Sequence, residues 1–287
     1  MTTMSDSNTE TSPNCASSPA LKASGSSFYW ALRLLPQERR NAMFHVYAFC
    51  REVDDIADEP GDPVVKMQLL EGWRRDVESL YGDGPPAQTV VCLKPIVERF
   101  GLDKADLLAV IDGMQTDAYD VVRMIDVAAF DLYLDRVACA VGRLSDKVFG
   151  LSGPASDRLA HHLGRALQIT NILRDLDEDA ERNRLYLPQS MLAEEGIESD
   201  DPQVVLHHPN LGAVLSQLAA RAHEHYAQAG VALGELGRVK TRPARVMMAV
   251  YRRYLEKLEA RGLSDIQTPV RVAKAEKLWL ALRHGIL

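Results

Sequence analysis

The chain has 287 residues, 46% hydrophobic and 25% charged, enough apolar content for one large buried core or two small ones. Its formal net charge of -7, with no lysine-arginine block and no basic patch interleaved with aromatics, argues against a nucleic-acid partner. Cys15, Cys50, Cys92 and Cys139 lie far apart, with no C-x-x-C pair and no histidine at zinc-ligand spacing, so four reduced thiols in a cytosolic protein are expected.

Residues 1–24, "MTTMSDSNTETSPNCASSPALKAS", are rich in Ser, Thr, Asn and Pro, lack a basic start and hold no apolar segment. They predict a disordered tail rather than a signal peptide. Residues 25–287 read as one all-α domain, helix upon helix, broken at "EPGDP" (59–63), "YGDGPPAQ" (81–88), "GLSGP" (150–154) and "DPQVVLHHPN" (201–210). Between breaks the apolar spacing is helical, as in Met43, Val46, Tyr47, Cys50 and Val53. No apolar run approaches the ~18 residues that cross a bilayer. Neither G-x-x-x-x-G-K-[ST] nor a G-x-G-x-x-G after a strand is present.

Two acidic clusters stand out. "CREVDDIADEPGDP" carries Asp54, Asp55, Asp58 and Glu59, and "LQITNILRDLDEDAERNRLYLP" (167–188) carries Asp175, Asp177, Glu178, Asp179 and Glu181. Asp54 with Asp58, and Asp175 with Asp179, share a helix face, where like charges repel by roughly 0.2–0.5 kcal/mol per pair. Pro60 and Gly61 end the first helix just past its cluster, and Asn183 or the loop before Pro188 ends the second, so both clusters occupy C-terminal turns that disfavour anions. Steps of three and four back from Asp175 reach Asn171 and Gln168, and back from Asp54 reach Arg51, extending each pair into a polar stripe. A solvated helix end explains one such cluster; two matched clusters fit a lined cavity better. A calcium loop in "DLDEDAERNRLY" is disfavoured, because Ala180 stands where glycine is required and Tyr186 where a bidentate glutamate belongs. In "HEH", His223 and His225 point to different sides of a helix and predict surface histidines rather than a zinc site.

Magnesium binds through one or two carboxylates and shares its other positions with substrate phosphates. Two facing acidic helix ends therefore suit a metal-bound diphosphate, with Arg51, Arg174 and either Arg182 or Arg184 neutralising a departing one.

"SSFYWALRLLP" (26–36), "VYAFCREVDDIAD" (46–58), "YLDRVACAVGRLS" (133–145) and the 167–188 block resemble, in order and spacing, the signature blocks of the squalene and phytoene synthase family. The combination of "SSFYWALRLLP", "REVDDIADE" and "VGRLSDKVFG" looks closest to the branch of bacterial presqualene diphosphate synthases. The resemblance implies an isoprenoid-synthase-type helical bundle around a central cavity, with Mg2+ held by Asp54, Asp58, Asn171, Asp175 and Asp179. It implies diphosphate contacts from Arg51, Gln168, Asn171 and Arg174, and a catalytic Tyr133 near the reacting carbons. Ser27 and Phe28 match its first helix, Tyr251 a late tyrosine near a diphosphate, and Arg271 or Lys274 a late cationic contact. Gly25 stands where some relatives carry a polar residue.

The implied reaction is Mg-dependent head-to-head condensation of two farnesyl diphosphates to presqualene diphosphate, supplying squalene and hopanoid synthesis, with Tyr133 or the released diphosphate accepting the proton. Phytoene synthesis from geranylgeranyl diphosphate, a complete NADPH-dependent squalene synthase and a non-catalytic helical binding module remain as alternatives. The C-terminal "RVAKAEKLWLALRHGIL" mixes Arg271, Lys274, Lys277 and Arg283 with Leu278, Trp279, Leu280 and Leu282. A weak peripheral contact with the inner face of the membrane is expected for this cytoplasmic protein. Downstream squalene-pathway enzymes are expected partners.

Overall fold

The computed structural model describes residues 31–285. The expected tail, together with Gly25, Ser27 and Phe28, lies outside them. The first helix, α1 (Gln37–Asp58), stops where the sequence demands: Glu59 precedes Pro60, is held extended at φ -68° and ψ 142°, and leaves Asp58 in the last turn. Asp62 then caps α2 (Pro63–Ser79) by accepting from the Val64 N–H, with Pro63 at the first helical position. Next come α3 (Lys94–Phe100) and α4 (Lys104–Asp117). After α5 (Val127–Leu134) the chain widens into a π-helical turn, Asp135–Cys139, and continues as α6 (Ala140–Phe149). Gly150, at φ 75°, turns the chain left-handed and closes α6.

The central element is α7 (Pro154–Glu181), which packs most extensively along α10 (Leu211–Glu235). Short α8 (Gln189–Glu194) and α9 (Pro202–Leu206) precede α10, and α11 (Arg242–Arg261) and α12 (Lys274–Gly285) follow it. The all-α expectation holds but for two short strands, β1 (Val122–Arg123) and β2 (Arg184–Leu185), paired in parallel. Two residues are too few to carry a strand pattern, so the sequence did not announce them.

Close approach around α7 rests on glycine. A Cβ on Gly164 would sit 2.8 Å from the Cys139 backbone, and one on Gly113 2.6 Å from the Val137 side chain, so α4 and α7 close on the π-helical turn from both sides. Met43, Val46 and Val53 are fully buried in the core. The thiol expectation holds for Cys50 and Cys139, which are free, but not for Cys92, which is disulfide-bonded.

Candidate active site

The two acidic clusters do end two helices, α1 and α7, and the loop after α7 ties them together. α7 ends as Asn183 turns left-handed at φ 57°, a conformation its short amide side chain tolerates. This sends Arg184 back into the interior as part of β2. Its guanidinium donates to Asp58 Oδ1 at 2.7 Å, to the Ala57 carbonyl at 3.2 Å and to the Asp117 carbonyl at 3.0 Å. Arg182 reaches Asp58 Oδ2 at 3.3 Å with one nitrogen and Glu178 Oε1 at 3.1 Å with the other, bridging the two helix ends. A helix running through 175–181 also removes any calcium loop there.

The carboxylates in this setting bear the strain of like charge. Burial first, then Asp58, pushes the Asp54 carboxyl up to about 6 although Arg51 opposes it. Burial first, then Asp175, pushes Asp179 up to about 7, with Arg184 opposing. Arg51 pairs with Asp54 at 2.9 Å and Asp55 at 2.8 Å on its own helix, half exposed. Arg174 donates twice to its neighbour Asp175, at 2.7 and 2.6 Å, and lies 5.2 Å over the Tyr254 ring.

One turn before Asp175, Asn171 donates to Gln168 at 3.3 Å, while its Oδ1 is buried with no hydrogen-bond partner. An orphaned buried acceptor costs about 1–3 kcal/mol. That oxygen lies one helical turn before Asp175, and an amide oxygen with carboxylates is a donor set that suits a hard cation such as magnesium. Among the described residues no three His, Cys, Asp or Glu side chains are grouped so as to hold a metal ion by themselves.

Tyr133 is buried and stacks on Tyr186 at 4.9 Å. Both hydroxyls donate to one carboxylate, Asp117, at 3.0 Å to Oδ2 and 2.7 Å to Oδ1. Burial, then the Asp117 charge, raises Tyr133 well above the ordinary phenol range, so it stays protonated at neutral pH. Asp117, raised to about 6 by burial against the opposing pull of Tyr186, Arg184 and Tyr133, is the residue that sequence reasoning missed. A lone aspartate ending an apolar helix gave no signal of its own.

Tyr251 meets Arg174 and Asn171, whose hydrogen bonds moderate the rise that burial gives its pKa. Arg271 and Lys274 are both exposed, and no side-chain contact brings either to this site. The late cation that approaches the Tyr251–Tyr254 pair is Lys277, 5.4 Å from the Tyr254 ring. The surface expectation holds for His223, which pairs with Glu259 at 2.8 Å, but not for His225, which is half-buried with its Nδ1 2.9 Å from that of His162.

Toward its N-terminus the same helix becomes an apolar wall. Leu163, Gly164 and Leu167 line a cavity of about 90 Å³ with Val141, Phe149 and Met247. It is smaller than the ~300–1,000 Å³ of typical ligand pockets. The amides at 168 and 171 begin within one turn of Leu167, so apolar wall passes directly into polar site.

Residues 21–276 match the family model for squalene/phytoene synthase. A presqualene diphosphate synthase from Rhodopseudomonas palustris is 44% identical over 92% of this chain and 95% of its own length. A phytoene synthase from Thermus thermophilus is 34% identical over 86% of this chain and 83% of its own. The crystal structure of a dehydrosqualene synthase in complex with ligand superposes with a TM-score of 0.77 at 24% identity, covering 92% of both chains. That last likeness bears on the fold alone.

Proposed function

This chain belongs to the squalene/phytoene synthase family and is a prenyltransferase, and from that premise we propose that it joins two farnesyl diphosphates head to head into presqualene diphosphate. The observation that carries the chemistry is the junction of two acidic helix ends through Arg182 and Arg184, with the orphaned Asn171 Oδ1 beside it. The choice of product rests on the greater likeness to the presqualene diphosphate synthase than to the phytoene synthase.

In the reaction, the C1–O bond of one farnesyl diphosphate breaks, and the C2=C3 electron pair of the second bonds to the allylic carbon so freed. Loss of one proton closes the cyclopropane, giving a C30 diphosphate, one free diphosphate and one proton. Asp54, Asp58, Asn171, Asp175 and Asp179 would hold Mg2+, which would supply charge neutralisation for the leaving diphosphate. Arg51, Arg174, Arg182 and Arg184, which pair with carboxylates in the metal-free protein, turn their donors toward the phosphate oxygens. Gln168 and Tyr251 border that position. Tyr133 is held as a donor to Asp117, so it positions and shields the cation and does not take the proton. The released diphosphate, formed beside the reacting carbons, is the base. The apolar wall around Leu163 and Leu167 keeps water from the cation. The enzyme works in the cytoplasm at the inner face of the membrane, handing its product to later squalene-pathway enzymes.

The test is mass spectrometry of products from farnesyl and geranylgeranyl diphosphates, with and without magnesium. A magnesium-dependent, acid-labile C30 diphosphate is expected. A C40 product formed in preference would move the chain to phytoene synthesis, and no diphosphate release from either would leave a binding module.

A further inference from the structure

Away from the acidic site, α10, α11 and α12 enclose a groove of about 550 Å³ lined by Arg245, Arg252, Arg283, His284 and Trp279. Three guanidiniums without a carboxylate partner, those of Arg245, Arg252 and Arg283, converge on it. The His284 imidazole, its pKa lowered first by burial, is lowered further by Arg283, Arg238, Arg245 and Arg252 together. Arg245 bonds only neutral oxygens, Thr241 Oγ1 at 3.0 Å and the Leu233 carbonyl. Arg283 lies 5.0 Å over the Trp279 ring. None of these four arginines makes an ion pair with a carboxylate among the described residues, whereas neighbouring Arg253 and Lys257 are neutralised by Glu276 at 2.5 and 2.7 Å. Glu256 and Glu276 also line the groove and pair with Arg253, so Arg245, Arg252 and Arg283 leave a net positive lining in a chain of net charge -7.

Its rim is apolar. Trp279 is 53% exposed, Leu278 49% and Leu282 47%, all on the outer side of α12, whose other side packs Leu280 and Ala281 into the core. Val231 and Val239, 59% and 69% exposed, are the exposed valines nearest in sequence to the groove-lining residues. No helix among the described residues is long and apolar enough to cross a membrane. A helix that pairs an aromatic-aliphatic ridge with arginines suits the plane of a bilayer surface, where apolar side chains reach the acyl boundary and guanidiniums meet headgroups.

We propose that this groove seats the phosphate headgroups of an anionic phospholipid bilayer while Leu278, Trp279 and Leu282 enter its interface, docking the protein on the membrane. The inference deepens the reading of an enzyme working at a membrane surface, by naming the surface and the lipid charge. It does not depend on which prenyl diphosphate is consumed. Docking here leaves the Tyr251–Tyr254 face of α11 turned inward toward Arg174 and the acidic site.

The experiment is co-sedimentation of the full chain with phosphatidylcholine vesicles and with vesicles also containing phosphatidylglycerol, alongside magnesium-dependent diphosphate release from detergent-dispersed substrate. Wild type should bind the anionic vesicles, release from them at high salt, and bind pure phosphatidylcholine weakly. Arg252→Glu with Arg283→Glu should weaken binding about twenty-five-fold or more, at about fivefold per arginine lost near an anionic surface. Leu278→Ser with Trp279→Ser should weaken it on both vesicle types. Both double variants should retain turnover on dispersed substrate. Equal binding of wild type to both vesicles, or of the charge-reversed variant and wild type to anionic ones, overturns the proposal. So does full displacement by millimolar inorganic phosphate, which would identify a soluble-anion site. Vesicle binding without turnover would instead refute the enzymatic reading and leave the docking surface standing.

Discussion

Asp58 and Asp179 belong to matched motifs but do different work in the metal-free protein. Asp58 holds Arg184 and Arg182, whereas Asp179 is penalised by burial and by Asp175. Replacing Asp54, Asp58, Asp175 or Asp179 should each remove most turnover, but their stabilities should diverge. Below about pH 3.8 Asp179 is protonated whether folded or not; between there and about 7 the unfolded chain loses its proton first, so stability falls as pH rises. Asp179→Asn should therefore melt higher than wild type at pH 8 without magnesium, and the gain should vanish toward pH 4; a lower melting temperature at pH 8 would contradict this. Arg184→Ala removes one of the two arginines on Asp58 and leaves the Asp117 carbonyl without that donor, and should cost about 1.5–3 kcal/mol in denaturant unfolding. Asp54, Asp58, Asp175 and Asp179 were legible in the sequence because helix spacing is local and like charges at a helix end contradict the dipole. The Tyr133–Asp117–Tyr186 triad was not, since its members come from α4, α5 and the segment after β2, and only tertiary packing joins them.

Among the elements, α7 carries the most. Its spacing from Gly164 through Asn171 to Asp179 lays wall, amides and carboxylates along one side, about 16 Å from Gly164 to Asp175 at the rise of an α-helix. Gly164→Ala forces a methyl against the Cys139 backbone, and should destabilise the fold by about 1–3 kcal/mol. Gly72→Ala in α2 meets only the end of Arg75 at 4.0 Å, and should stabilise by about 0.5–1 kcal/mol. Thermal melts of the two variants should thus shift in opposite directions. The break at 59–63 was readable because proline dictates the backbone before it. The π-helical turn was not, because it arises where α4 and α7 press on the chain rather than from any residue inside it.

For the molecule as a whole, the single helical domain followed from composition and periodicity, while the basic groove did not. Its arginines are dispersed from 238 to 283 on three segments, so no local run betrayed them. Adding NADPH should leave the C30 diphosphate as main product, as the likeness to a presqualene diphosphate synthase implies; squalene as the dominant product would reassign the chain within its family.

The bond from Arg184 to Asp58 spans 126 positions, and the β1–β2 ladder must close before Arg184 points inward. Contacts of such separation form late, because the chain entropy lost in closing the loop precedes any reward. Helices should hence appear early in refolding and catalytic competence last. In a stopped-flow refolding experiment, recovery of diphosphate release should lag the far-ultraviolet helical signal, and variants of Arg184 should lengthen that lag more than variants of the apolar wall. On the proposed function, a molecule that has not closed this loop of 126 positions has no assembled site at which to ionise a substrate, and so generates no stray carbocations.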